Sequence, residues 1–119
     1  MDVLEVEGEP AEADAVARAV AALDSGGLLI YPTDTLYALG GRALDPAAGR
    51  MVRDAKGREA RPLPVIASDL EQVARLAAAV PPAFLRVAVR FWPGPLTVIL
   101  PSRPEVPEEV TAGTATVAV

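Results

Sequence analysis

The sequence lacks cysteine, histidine and asparagine, and only one of its eleven basic residues is a lysine. Without cysteine and histidine, the chain itself supplies no disulfide, no Cys–His or Ser–His–Asp catalytic set, and none of the usual zinc or haem ligands. Chemistry within these 119 residues must therefore use carboxylates, hydroxyls, backbone dipoles, arginines or the single lysine, Lys56.

Long apolar runs are also missing, since proline, glycine or arginine interrupts each one before the roughly 20 residues that a membrane helix needs. Residues 1–5, which include Asp2 and Glu5, lack the basic and then apolar pattern of a signal peptide. We therefore expect a cytoplasmic protein with no membrane contact. The length and the 51% hydrophobic content predict a single domain over residues 1–119. A net charge of −5 weighs against strong non-specific binding of nucleic acid.

Helical and strand-like segments alternate along the chain, which indicates the α/β class. Helices are predicted for residues 10–25, 45–57, 68–77 and 81–91, and strands for residues 28–31, 63–67, 96–100 and 116–119. Pro10 suits a first helical turn, Asp45 and Gly57 suit the two ends of a helix, and residues 68–71 form a capping box from Ser68 to Glu71. Residues 101–113 contain three prolines and are predicted to form an exposed loop.

Three loop segments carry candidate chemistry. Residues 31–41 place two threonines and an aspartate after a buried strand, where α/β proteins bind ligands, although such residues also cap the next element. Residues 56–64 hold three cations that suit a phosphate or carboxylate, or that satisfy the end of the preceding helix. Residues 91–97 contain Pro-Gly-Pro, which indicates a rigid turn beside a buried Trp92.

In this order, the segments YPTDTLYALG, KGR followed by RPLPVI, FWPGPLT and the terminal TVAV resemble the YrdC-like family of threonylcarbamoyl-AMP synthases. The resemblance spans roughly residues 13 to 119. It implies an α/β fold with a twisted, open mixed sheet, a concave ligand-binding surface and flanking helices. It also implies a reaction that joins L-threonine, bicarbonate and ATP, releases pyrophosphate and yields threonylcarbamoyl-AMP for tRNA modification.

The resemblance assigns roles to five residues. Thr35 and Lys56 would contact L-threonine, while Lys56, Arg58, Arg61 and Thr116 would contact ATP. Arg61 stands one place nearer to Arg58 than the corresponding residue in some members. No catalytic residue and no metal ligand is assigned, and Mg²⁺ is expected to accompany ATP as the substrate.

The resemblance also implies partners: proteins that transfer the threonylcarbamoyl group to tRNA, and tRNA or double-stranded RNA itself. Two departures stand out, because Ala38 replaces a glycine and the chain ends at Val119, before an arginine and a serine-rich segment of the family. We therefore expect the chain to lack the C-terminal third of the family domain and to expose apolar sheet surface that favours a homodimer. The alternative function is a non-catalytic YrdC-like or YciO-like module that binds nucleotide or double-stranded RNA.

Overall fold

The computed structural model describes residues 1–8, 12–57 and 61–119, and in these it contains five helices and four short strands. In chain order they are α1 (Ala13–Asp24), β1 (Leu29–Pro32), β2 (Tyr37–Gly40), α2 (Pro46–Lys56), α3 (Leu70–Leu76), α4 (Pro82–Phe91), β3 (Ile99–Pro101), α5 (Glu108–Thr111) and β4 (Thr116–Ala118). The predicted α/β class is confirmed. The predicted helix start at Pro10 lies outside the described residues. None of the helices seen in the described ranges has the length and apolar character needed to cross a membrane.

The strands form two antiparallel pairs, β1 with β2 and β3 with β4. In the first pair Leu29 lies opposite Gly40 and Pro32 opposite Tyr37, so residues 33–36 form the turn of a hairpin. The sequence prediction treated residues 37–40 as part of a loop and is wrong there. Four residues of mixed character carry too little periodicity to predict a strand, and only the pairing with β1 defines it.

Two predicted strands are shorter or less regular than expected. Residues 63–67 are extended but form no strand, because Pro64 has no N–H group and only alternate residues bond to neighbours. The Leu63 N–H donates to the Val110 carbonyl at 2.9 Å and the Val65 N–H to the Ala118 carbonyl at 2.8 Å. These two hydrogen bonds bring residues 63–65 against α5 and β4. In residues 96–100 the strand begins only at Ile99.

The main core lies where α3, α4, β3, α5 and β4 meet. Its buried members are Val73, Leu76, Ala77, Phe84, Ala88, Leu100, Val106, Val110, Val117 and Val119. The prediction of an exposed loop over residues 101–113 is therefore wrong. This segment contains α5 and buries Val106, Val110 and Thr111. The prolines dominate its sequence signal, but Pro107 merely precedes the first turn of α5, a position that proline tolerates well.

Helix ends follow local signals, with one shift of register. Gly57 ends α2 in the left-handed conformation, at φ 59°, as predicted. The cap of α3 is Asp69 and not Ser68: the Asp69 carboxylate accepts the Gln72 N–H at 2.8 Å, and the Gln72 side-chain oxygen accepts the Ser68 N–H at 3.0 Å. The predicted box is thus displaced by one residue: Asp69 and Gln72 take the places of Ser68 and Glu71, and they accept the N–H groups of Gln72 and Ser68.

The apolar faces of the first two helices differ from the prediction. Val16 and Val20 of α1 are 47% and 48% exposed, although their spacing predicts a buried stripe. In α2 the buried residues are Ala48, Gly49 and Val52, whereas Met51, which helical spacing places on the same apolar stripe as Ala48 and Val52, is 45% exposed. Close packing of α2 therefore involves a glycine and small side chains.

The segment FWPGPLT has the architectural role predicted for it. The Trp92 ring packs edge-to-face against Phe84, with centroids 5.3 Å apart. Its Nε1–H donates to the Leu96 carbonyl at 2.8 Å. The indole therefore ties the end of α4 to the chain that leads into β3.

Candidate functional site

A cavity of about 360 Å³ lies between the β1–β2 hairpin, α2 and the extended residues 63–66. Most of its wall is apolar, and its chemically distinctive side chains are Tyr31, Arg42 and Lys56. The apolar part of the wall consists of Leu23, Leu29, Leu39, Gly40, Gly41, Ala43, Ala48, Gly49, Val52, Leu63, Pro64, Val65, Ile66 and Val110. Two cations and a phenol in a largely apolar cavity suit a small anionic ligand.

Lys56, a predicted site residue, lies on the wall of this cavity as the last residue of α2. The sequence left open whether it serves a ligand or the end of its own helix. The Gly57 N–H already donates to carbonyls of the last turn, those of Arg53 and Asp54. The backbone thus caps two of the last carbonyls of α2, and Lys56 is part of the cavity wall.

The other predicted contacts are placed differently. Arg58 lies outside the described residues. Arg61 is exposed and is not part of the cavity wall. Thr116 begins β4, half-buried, and its Oγ1 lies 2.9 Å from that of Thr114. The structure thus brings Lys56 to the cavity but neither Arg61 nor Thr116.

Thr35 lies in the turn of the hairpin, exposed and away from the cavity wall. Its neighbour Thr33 organises that turn: the Thr33 Oγ1 accepts N–H groups from Leu36 at 3.2 Å and Thr35 at 3.4 Å. The same hydroxyl donates to the Leu36 carbonyl at 2.5 Å. The capping role left open by the sequence therefore falls to Thr33, and the Thr35 hydroxyl lies 3.5 Å from that of Thr33 at the exposed turn.

Tyr31 is a cavity residue that the sequence analysis did not single out. Burial raises the pKa of its phenol, so the hydroxyl stays protonated and donates a hydrogen bond over a wide pH range. Gly40, which lies on the neighbouring strand opposite Leu29, makes room for the ring: a Cβ there would lie 3.0 Å from the Tyr31 hydroxyl oxygen. The apolar run ending at Tyr31 signalled a strand but not which face of it meets a cavity.

Arg42 is the second residue that was missed. It follows β2 and Gly41 on the cavity wall, and its Nη1 lies 2.5 Å from Oδ1 of Asp24, the last residue of α1. The two residues are 18 positions apart, and no local pattern links them. A Cβ at Gly41 would lie 2.8 Å from the Leu28 side chain and 3.0 Å from that of Ala48, so glycine lets this part of the chain pass close to α2.

Ala38, the departure from the family pattern, lies in β2 opposite Tyr31. Among the described residues, the non-glycine positions with positive φ are Ala112 and Ala115. Ala38 therefore has ordinary strand geometry, in which a methyl group carries no backbone strain. It is not part of the cavity wall either.

Comparisons with known proteins agree with these features. The model of the Sua5/YciO/YrdC family, described as "Telomere recombination", matches residues 21–119. A threonylcarbamoyl-AMP synthase of Pyrococcus abyssi is 45% identical over 95 residues, covering 79% of this chain and 28% of that protein. The crystal structure of P. abyssi Sua5 complexed with L-threonine matches with a TM-score of 0.88 at 40% identity, covering 93% of this chain and 33% of the other.

The crystal structure of E. coli YciO matches with a TM-score of 0.81 at 23% identity, covering 95% of this chain and 55% of that one, and supports the fold alone. The chain thus spans about a third of the P. abyssi protein and just over half of YciO. The family match covers the hairpin, α2 and the cavity between them. By this match and by its fold, the chain belongs to the Sua5/YciO/YrdC family.

Proposed function

We propose that the chain is a threonylcarbamoyl-AMP synthase-type domain that takes L-threonine, bicarbonate and ATP. The observation that carries this proposal is the cavity beside Lys56. It lies in a chain whose backbone resembles that of P. abyssi Sua5 with bound L-threonine, and a relative of the same organism is named threonylcarbamoyl-AMP synthase.

The proposed reaction needs charge stabilisation more than a histidine base. The amine of L-threonine bonds to the carbon of bicarbonate with loss of water, which gives a carbamate. A carbamate oxygen then bonds to the α-phosphorus of ATP, and the bond from that phosphorus to pyrophosphate breaks. Negative charge builds up on the phosphate oxygens and the leaving group, where a fixed cation such as Lys56 lowers the barrier.

The volume of the cavity bears on which parts of the substrates bind inside it. About 360 Å³ lies near the lower end of the roughly 300–1,000 Å³ typical of small-molecule sites. We propose that Lys56 holds L-threonine together with a phosphate of ATP at the cavity. The Thr35 hydroxyl would approach L-threonine from the hairpin turn. Arg58, Arg61 and Thr116 would contact the nucleotide where it extends beyond the cavity.

Mg²⁺ is proposed to enter with ATP, bound to phosphate oxygens. In the ranges that the structure describes, no group of three or more carboxylate, histidine or cysteine side chains is placed to hold a metal ion. The phosphate oxygens of ATP would supply the ligands of the ion. Bound in this way, Mg²⁺ would neutralise part of the phosphate charge.

The test is threonine-dependent release of pyrophosphate by the purified chain with ATP, bicarbonate and Mg²⁺. Lys56→Ala should abolish release, while Arg75→Ala, which removes an exposed cation of α3, should leave it unchanged. The P. abyssi enzyme serves as a positive control. If that enzyme is active and this chain releases no pyrophosphate, the proposal is wrong.

The same assay addresses the alternative, a non-catalytic module that binds nucleotide or double-stranded RNA. Binding of either ligand without turnover would favour it. Delivery of the product to tRNA by transfer proteins, and a homodimer, stay predictions. Analytical ultracentrifugation tests the dimer, for which the exposed side chains of Ile30, Leu36 and Tyr37 offer apolar surface on the hairpin.

A further inference from the structure

We propose that Arg42 is a second anion-binding residue of the cavity and that Asp24 holds it while the site is empty. In this arrangement the guanidinium turns from Asp24 to a phosphate or carboxylate of the ligand. The inference deepens the proposed function and rests on it for the identity of the ligand. It starts from the position of Arg42 on the same cavity wall as Lys56.

The geometry of the ion pair suits an exchange of partners. The Arg42 and Asp24 side chains are 56% and 60% exposed, so the pair forms in a well-solvated setting where such pairs are weak. The pair engages a single terminal nitrogen, Nη1, whereas guanidinium carries five N–H groups in a planar fork. That fork matches the two oxygens of a phosphate or carboxylate better than it matches one carboxylate oxygen.

The position of Asp24 gives it a specific role. It is the last residue of α1, where the negative end of the helix dipole disfavours a carboxylate, so a nearby arginine offsets an unfavourable site. Asp24 is absent from the cavity wall, and Arg42 is part of it. Asp24 is therefore a positioning residue that acts through Arg42, and it competes with any anion that enters.

The experiment measures dissociation constants by calorimetry for three probes: pyrophosphate, ATP and L-threonine. Arg42→Gln should weaken the binding of anionic probes about tenfold, the loss expected for a charged hydrogen bond. Asp24→Asn should strengthen it about two- to fivefold, by the amount that an exposed pair is worth. Comparing pyrophosphate with L-threonine tells whether Arg42 holds the phosphate or the carboxylate.

The exposed pair Arg75–Glu71, with Nη2 and Oε1 2.7 Å apart, provides matched controls away from the cavity. Glu71→Gln and Arg75→Gln change the net charge as the test variants do and should not alter binding. In the Arg42→Gln background, Asp24→Asn should have no effect if it acts through Arg42. A persisting effect, or Arg42→Gln binding like wild type, would overturn the proposal, as would the absence of binding by all three probes.

The salt dependence of binding and the rate of turnover together show whether Arg42 contacts the ligand or only stabilises the structure. The effects of both variants should shrink as salt rises, because the screening length falls from about 10 Å at 0.1 M to about 3 Å at 1 M. If threonine-dependent turnover is found and Arg42→Gln leaves it and binding unchanged, only this inference fails. If pyrophosphate binding depends on Arg42 but no turnover occurs, only the proposed function fails.

Discussion

Gly49→Ala tests whether the close approach of two helices sets the shape of the cavity. Gly49 lies within α2, where alanine is ordinarily more favourable by about 0.5–1 kcal/mol. In this structure, however, a Cβ at position 49 would lie only 2.8 Å from the Cβ of Glu109 in α5. Both atoms are fixed to the backbone, so one helix must move to relieve the clash.

The clash should outweigh the gain in helix propensity. Overpacking costs about 1–3 kcal/mol. The net free energy of unfolding should therefore fall by about 1 kcal/mol, and the Tm by about 4 °C for a chain of this size. Because α2 carries Lys56 and lines the cavity, its displacement should also weaken the binding of L-threonine and ATP.

Denaturant unfolding measures the effect, with Ala55→Gly in the exposed last turn of α2 as the reference for propensity alone. Glu109→Gly removes the clashing Cβ and should restore the packing in the double variant with Gly49→Ala. Glu109→Ala removes the same carboxylate, which pairs with Arg50 at 2.6 Å, but keeps the Cβ and should not. Stabilisation by Gly49→Ala alone, or equal rescue by both Glu109 variants, would refute the reasoning.

Three further predictions concern single hydroxyls and carboxylates. Thr33→Val should destabilise the protein by about 1 kcal/mol through lost turn hydrogen bonds, whereas Thr35→Val should leave the denaturation midpoint unchanged. The backbone hydrogen bond to Asp69 lowers the pKa of that carboxyl, so its contribution is present above about pH 4 and lost as pH falls further. Asp69→Asn should therefore flatten the acid limb of a plot of Tm against pH. Burial raises the pKa of Tyr31. In Tyr37→Phe, where Tyr31 is the remaining phenol, an absorbance titration should therefore show a pKa above about 10, and stability should be lost as the pH rises through that pKa. An unshifted titration would contradict the burial of Tyr31.

The parts of the fold that the sequence predicted correctly depend on local chemistry. Helix α2 has the predicted ends because Asp45 caps its first turn and Gly57 adopts the left-handed conformation that ends it. The missed elements depend on partners outside their own segments. Strand β2 is defined by its register with β1, and α5 is a single turn whose Val110 is buried in the core and whose carbonyl accepts the Leu63 N–H.

The residues of the candidate site also differ in whether a local sequence pattern marks them. Three cations near a helix end form a local pattern that left open a ligand role or a helix-end role for Lys56. The resemblance assigned Lys56 to the substrates, and the structure places it on the cavity wall. Tyr31 and Arg42 were missed because their role comes from tertiary packing: one lies on the inward face of a hairpin, and the other pairs with a residue 18 positions away. The substrate contacts assigned to Thr35 and Thr116 also came from the resemblance, and neither residue lies on the cavity wall.

The cavity wall has few polar side chains, and this bears directly on how the cavity would bind a ligand. In a wall that is mostly apolar, Lys56 and Arg42 are the cations that an anionic ligand would meet. Under the proposed function, these two side chains would supply the charge stabilisation that phosphoryl transfer requires. Of these two cations, only Arg42 is held by an ion pair with Asp24, so removing Asp24 should affect ligand binding through Arg42 and leave the contribution of Lys56 intact.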